Sequence, residues 1–247
     1  MIEPVHFSHL KHMANSPAHY RHALIDRRDT KSFRMGRAVH SFLLGGPEPI
    51  VYNGRRAGSA WEAFAEEHSD CEILIASEAE PAFRMRDALH RNAEAMDLLR
   101  SGAREKKIDW SFLGRACQGT PDVFNDVQTV ELKTDRSAKP ARFQSRSLWY
   151  AYHAQHAWYM NGIKQAGLGR PGSAYTVAVE SSAPYPVTIF RLTERAIEQG
   201  HKLYRGWMER LLGCEAANHW PEYCESIVDL DVPDDDFELN FGEDAAQ

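Results

Sequence analysis

Apolar residues recur at helical spacing through the first hundred positions and gather into short strand-like runs after that. Met35, Val39, Phe42 and Leu43 form one stripe, which predicts a helix over Phe33–Leu44 that Gly45-Gly46-Pro47 stops. Upstream, Ser16-Pro17 reads as an N-cap with proline in the first helical position, opening a short helix through Leu24. Glu78–Leu99 places Phe83, Met85, Leu89, Met96, Leu98 and Leu99 at helical intervals. Val51–Ser69 is polar and carries arginines and glycines around a single large anchor, Trp61. The first half is therefore expected to be mainly helical.

The second half changes period. Cys117–Phe124 and Val127–Thr134 read as two strands about an Asn125-Asp126 turn, followed by a strong helix over Ser145–Gln165. Tyr175–Glu180 and Pro186–Leu192 read as a second strand pair, and Thr193 caps a final helix to about Leu212. This order predicts one α/β domain over residues 1–227, with a mixed central sheet flanked by helices. Residues 1–110 form its mainly helical part and 111–215 its sheet and helices. Residues 228–247 are expected to be a flexible acidic tail.

Composition narrows the class. The chain has 247 residues, 43% hydrophobic and 26% charged, which suits a soluble globular protein and excludes fibrous or wholly disordered chains. The longest apolar runs, such as Ala38–Leu44, are broken by polar residues and fall short of a bilayer span. With no leader-like opening, a cytoplasmic protein without membrane contact is expected. A net charge of −6 argues against a nucleic-acid partner until it is located. From Val228 onward there are eight acids and no Lys or Arg, leaving 27 of the 35 acids to face 29 basic residues. The body is then about +2, which is compatible with DNA.

Chemistry concentrates in the first strand pair. Residues two apart on a strand share a face, so Glu131 and Lys133 point together. A two-residue turn at Asn125-Asp126 pairs Phe124 with Val127 and sets Asp122 opposite Thr129, with Glu131 its diagonal neighbour about 7–8 Å away. Two carboxylates at that separation can share a divalent cation, and a lysine beside them suits phosphodiester hydrolysis. A plain salt-bridge ladder has the same tripeptide, and a turn longer by one residue would break the registry.

Further motifs favour the chemical reading. Gly119-Thr120-Pro121-Asp122, Glu131-Leu132-Lys133-Thr134 and the Gln155/Tyr159 pair resemble the PD-(D/E)XK nuclease superfamily. Gly36-Arg37-Ala38-Val39-His40 resembles the helix-borne histidine of its RecB-like branch. With Ser16 to Tyr20, Arg56 to Trp61 and Tyr152 to Tyr159, the set is similar to the RecE-type exonuclease VIII group over roughly residues 6 to 210. The resemblance implies that His40, Asp122, Glu131 and the Leu132 carbonyl hold metal, that Lys133 is the catalytic lysine, and that Gln155 and Tyr159 support the site. Glu105 lies where such proteins often carry a glutamate, and its role is left open. Mg²⁺ is the implied cofactor, with Mn²⁺ also accepted because imidazole is an unusual Mg²⁺ ligand.

The implied activity is a metal-dependent exodeoxyribonuclease acting on linear double-stranded DNA, 5′ to 3′, in phage-type recombination. The alternatives are a single-strand-specific or endonucleolytic DNase, or a catalytically idle DNA-binding assembly protein. The resemblance also suggests a ring-shaped homo-oligomer. A single-strand annealing protein is a candidate partner for the tail, against a simple solubilising role. Basic clusters flank the motifs: Arg27, Arg28 and Arg37 are candidates for a terminal phosphate, and Arg136, Lys139, Arg142 and Arg146 for the DNA backbone. Some relatives hold an iron–sulfur cluster on four cysteines. Cys71, Cys117, Cys214 and Cys224 lack that spacing, so no such cluster is expected and buried thiols are. His6, His9, His12, His19 and His22, like His153 and His156, invite a zinc reading that no cysteine or acid completes.

Overall fold

The computed structural model describes residues 3–26, 29–224 and 226–230. The chain begins with Val5–His6 (β1), a helical turn at Phe7–Leu10 (α1), a 3-10 turn at Lys11–Ala14 and Pro17–Ala23 (α2). The Ser16 side chain accepts from the His19 N–H, so the cap and the N1 proline act as the sequence predicts. Lys31–Leu44 (α3) is capped by Thr30 and ends at Gly45 in the left-handed region. Ile50–Tyr52 (β2), Ser59–Glu67 (α4) and Ile73–Ile75 (β3) follow, with β2 and β3 paired in parallel. The polar segment around Trp61 thus contains a helix that its weak apolar periodicity does not announce.

Ala76–Arg91 (α5) and Ala93–Leu99 (α6) replace the single helix expected over Glu78–Leu99. Asn92 is extended and its side chain accepts from the Ala95 N–H at 3.0 Å, restarting the helix as a cap. Ala103–Arg104 (β4), Ile108–Phe112 (β5), Arg115–Gly119 (β6), Val123–Phe124 (β7) and Gln128–Asp135 (β8) come next. The expected Cys117–Phe124 strand is divided: β6 joins a sheet of order β1-β6-β5, whereas β7 joins the central one. Pro121, which has no N–H to offer a ladder, lies at the division.

Pro140–Trp149 (α7) and Tyr152–Gln165 (α8) are separate helices where one was expected, because Ala151 adopts a left-handed φ of 56°. Ser173–Glu180 (β9), Val187–Arg191 (β10) and Glu194–Ala217 (α9), capped by Thr193, complete the fold. The central sheet has the order β10-β9-β8-β7-β4, with β8 and β9 parallel and the other pairs antiparallel. This is the mixed, helix-flanked sheet predicted from the pattern.

The two faces of β8 belong to two cores. Val130 and Leu132 pack with Val177, Val179 and the apolar stripes of α3, α5 and α6. Phe124 instead joins Trp158 and Tyr159 of α8 and Tyr204, Trp207 and Met208 of α9. Thr129 also faces α8: His156, wholly buried, bridges Thr129 Oγ1 at 3.1 Å and Thr176 Oγ1 at 3.0 Å. Burial, with Lys133 adding to it, pushes the His156 pKa down to about 3, so this histidine is a neutral core bridge.

Cys117 and Cys214 are buried as expected, but Cys71 is only half-buried and Cys224 is exposed. Of the acidic tail, 231–247 lie outside the described residues. Among those described, no helix is long and apolar enough to cross a membrane.

Candidate active site

The turn between β7 and β8 sets the registry. Asn125 Oδ1 accepts from the N–H groups of Val127 at 2.9 Å and Gln128 at 3.0 Å, which widens the expected two-residue turn. Phe124 therefore pairs with Thr129, not Val127, and Val123 with Val130. Continued by one residue, this register sets Asp122 across from Glu131 itself. The slip is two residues, and side chains alternate with period two, so Asp122, Glu131 and Lys133 still share a face.

Hydrogen bonds lock that arrangement. Asp122 Oδ2 accepts from the Leu132 N–H at 2.7 Å, and Glu131 Oε1 accepts from the Asp122 N–H at 3.2 Å. Lys133 Nζ donates to Glu131 Oε2 at 2.8 Å. The Glu131 side chain is 1% exposed and that of Lys133 16%. Burial, then the neighbouring Asp122, raises the Glu131 pKa against the pull of Lys133. Burial would lower the Lys133 pKa, but Glu131 and Asp122 outweigh it and hold the ammonium well above its ordinary value.

His40 reaches the same point from α3. Its Nε2 donates to the Leu132 carbonyl at 3.0 Å, and a carbonyl can only accept, so Nδ1 is the nitrogen turned to the carboxylates. Nδ1 lies 3.6 Å from Glu105 Oε1 and 3.7 Å from Asp122 Oδ1. Burial disfavours the imidazolium, yet Asp122 and then Glu105 raise the His40 pKa above 6.5. Glu105, left open by the sequence, is brought in by a left-handed turn (φ 45°) and by its N–H donating to the Asp122 carbonyl at 2.9 Å.

His40, Glu105 and Asp122 each offer a ligand atom within 4.8 Å of the others. One nitrogen and several carboxylate oxygens suit a hard or borderline divalent cation. The electrostatics agree, since three carboxylates counting Glu131 converge where the described partners supply one lysine and one histidine. The donor set fits a divalent metal ion.

Gln155 and Tyr159 project from one face of α8, joined by a 3.3 Å bond from Gln155 Nε2 to the Tyr159 hydroxyl. Gly119 makes room for that ring: a Cβ there would sit 2.7 Å from Tyr159 Cε1. Tyr152, one turn before Gln155, was not singled out by sequence reasoning. Lys133 Nζ lies 5.3 Å from its ring centroid, and Tyr152 stacks in turn on Tyr150. Its spacing of three and seven from Gln155 and Tyr159 is the signal that marks it.

A cleft of about 950 Å³ opens from His40 and Glu105 past Tyr152 and Tyr150 to Arg136 and Arg146. A neighbouring hollow of about 470 Å³ is lined by Arg136, Arg142 and Arg146. Arg146 Nε also pairs with Asp135 at 2.8 Å. Lys139 is exposed and lines neither hollow. Arg37 lines the large cleft, but its guanidinium is paired with Asp29 and Glu72. Arg27 and Arg28 lie outside the described residues.

Residues 6–231 match the family described as a PDDEXK-like domain of unknown function, DUF3799. The chain belongs to that family. Among solved structures, this PDDEXK-like domain is similar to a candidate exonuclease from Eubacterium rectale, with a TM-score of 0.66. The match covers 94% of this chain and 91% of that one at 12% identity, so it speaks for the fold. LHK-Exo in complex with dAMP aligns over 76% of this chain and 96% of its own at 13% identity. Its TM-score is 0.31. No curated protein matches the sequence.

Proposed function

We propose that this PDDEXK-like domain is a divalent-metal-dependent exodeoxyribonuclease, degrading linear double-stranded DNA from its ends, 5′ to 3′, in phage-type recombination. The observation that carries the hydrolytic reading is the convergence of His40 Nδ1, Glu105 and Asp122 beside the Glu131–Lys133 pair. The end preference, polarity and recombination role rest on the resemblance to the RecE-type group.

His40 Nδ1, Glu105 and Asp122 would hold the ion, while Glu131 accepts from the Asp122 N–H and Lys133 beside it and the Leu132 carbonyl accepts from His40 Nε2. Mg²⁺ or Mn²⁺ bound there would polarise the phosphate and acidify a water molecule. The chain's own residues supply the rest. Glu131 and Asp122 keep the proton on Lys133, so the lysine acts as a charged donor that orients the water and balances charge developing on the phosphate. Hydrogen bonds from the backbone fix both carboxylates before substrate arrives, which spares reorganisation during the reaction. Gln155 and Tyr159 cover the α8 side of the site. The stacked Tyr152 and Tyr150 offer ring faces along the cleft, as proteins that track a nucleic-acid strand do.

The test uses an end-labelled linear duplex and a closed circle of the same sequence, with Mg²⁺ or Mn²⁺ and a Lys133→Ala control. Loss of the linear DNA alone, abolished in a control shown by its melting curve to be folded, is expected. The position of the label then gives polarity. Cleavage of the circle would replace the exonuclease reading with an endonuclease. Undiminished cleavage by Lys133→Ala would remove the lysine from its role.

A further inference from the structure

Lys11 has a position that no motif explains. It stands on the 3-10 turn between α1 and α2, where Leu10 and Met13 are wholly buried. Arg210 of α9 donates to the Met13 carbonyl at 3.2 Å, so this backbone is anchored on two sides. The Lys11 side chain, half-buried, lines the large cleft together with His40, Glu105 and Tyr152.

At the metal end, Lys133 pairs with Glu131 and Arg37 with Glu72; at the far end Arg146 pairs with Asp135, and Arg136 is exposed to water. Lys11 Nζ has no hydrogen bond or ion pair among the described residues. The charge acting on it is Lys133, which repels it. Burial, then that repulsion, holds its pKa below 10.5. This ammonium is partly withdrawn from water, has no carboxylate partner among the described residues and sits near a second cation, which costs some stability. Such a cost is offset where a ligand brings the missing anion. A phosphate has several charged oxygens, enough for a metal and for two lysines.

We propose that Lys11 is a phosphate-binding residue of this cleft, holding a non-bridging oxygen of the substrate's phosphodiester opposite Lys133. The assignment rests on the nuclease reading. The N-terminal turn would then supply a second lysine near the one that the central sheet holds against Glu131.

The experiment compares wild type, Lys11→Met and Lys11→Arg in binding a fluorescein-labelled duplex oligonucleotide with Ca²⁺, by anisotropy across a range of salt. Melting temperatures are taken alongside. Lys11→Met is expected to bind about tenfold more weakly, as loss of one charge-assisted hydrogen bond implies. Its slope of log affinity against log salt should fall by about 1, the share of a single phosphate contact. Its melting temperature should hold or rise, because the unpaired ammonium is gone, and Lys11→Arg should restore both affinity and slope. Equal binding by wild type and Lys11→Met overturns the assignment and leaves the nuclease reading standing. Weaker binding with an unchanged slope and a lower melting temperature overturns it too, since that is a packing role. If wild type binds no DNA, both readings fall.

Discussion

Glu78 shows how far a single carboxylate can organise the helical half. Its side chain is 1% exposed and accepts from Arg34 Nη2 at 2.8 Å, from Arg56 Nη2 at 2.6 Å and from the Ile75 N–H at 3.1 Å. One residue thereby ties α5 to α3, to the loop before α4 and to the end of β3. Burial by itself would raise its pKa, but Arg56, Arg34 and the Ile75 N–H push it down to about 2. A carboxylate whose folded pKa lies below its ordinary value near 4.5 stabilises the fold above that value. The contribution is lost as pH falls from about 4.5 towards 2. Glu78→Gln should therefore cost about 3 kcal/mol at pH 7, since it leaves two half-buried guanidinium groups short of a charge. It should also flatten the acid limb of the stability curve over that window. Denaturant melts from pH 2 to 7 check both, and a variant with the wild-type acid limb would show that Glu78 is not the linked group.

Among the elements, α8 and α9 depend on close approach. Gly200 lies against α8 so tightly that a Cβ would run into the His153 carbonyl oxygen. That atom is backbone and cannot swing away, so the helices must part. Gly200→Ala is expected to lower stability by about 1–3 kcal/mol, in the range of overpacked cores, read as a lower denaturant midpoint at unchanged m. Because His153 sits between Tyr152 and Gln155, the same variant should lose cleavage beyond what its stability explains. Stable variants that cleave normally would show that α8 tolerates the shift. What the sequence discloses about these elements follows from where their signals are. Caps at Ser16, Thr193 and Gly45 are local chemistry and appear where expected. The breaks at Asn92 and Ala151 are not visible as lapses in apolar periodicity, because α6 and α8 resume it at once. The facing of Asp122 and Glu131 was legible through parity alone: a turn longer by two residues moved the partner but not the face. Glu105 and Lys11 carry no local signal strong enough to fix them, since each is placed by contacts between elements distant in sequence.

At the scale of the molecule, the charge is arranged rather than summed. A net −6 coexists with a cleft whose one end is formed by His40, Glu105 and Asp122 and whose far end carries Arg136 and Arg146, with Arg142 in the hollow beside them. Acids at one end collect a cation, while the arginines suit the phosphates leading to it. These arginines are not equivalent. Arg146 is half-committed to Asp135, and Arg37 is paired with both Asp29 and Glu72, so a phosphate would compete with carboxylates already in place. Arg136 and Arg142 are exposed on the hollow's rim. The combined Arg136→Gln, Arg142→Gln variant should therefore reduce the slope of log DNA affinity against log salt by about 2, with kcat at saturating duplex little changed. Arg37→Gln should move the slope less and cost stability more, because it strips cover from Glu72, which is 12% exposed. Anisotropy titrations across salt, paired with melting curves, separate the two behaviours. If instead Arg37→Gln carries the larger slope change, the duplex enters along α3, and the arginines at the far end are a solvated surface.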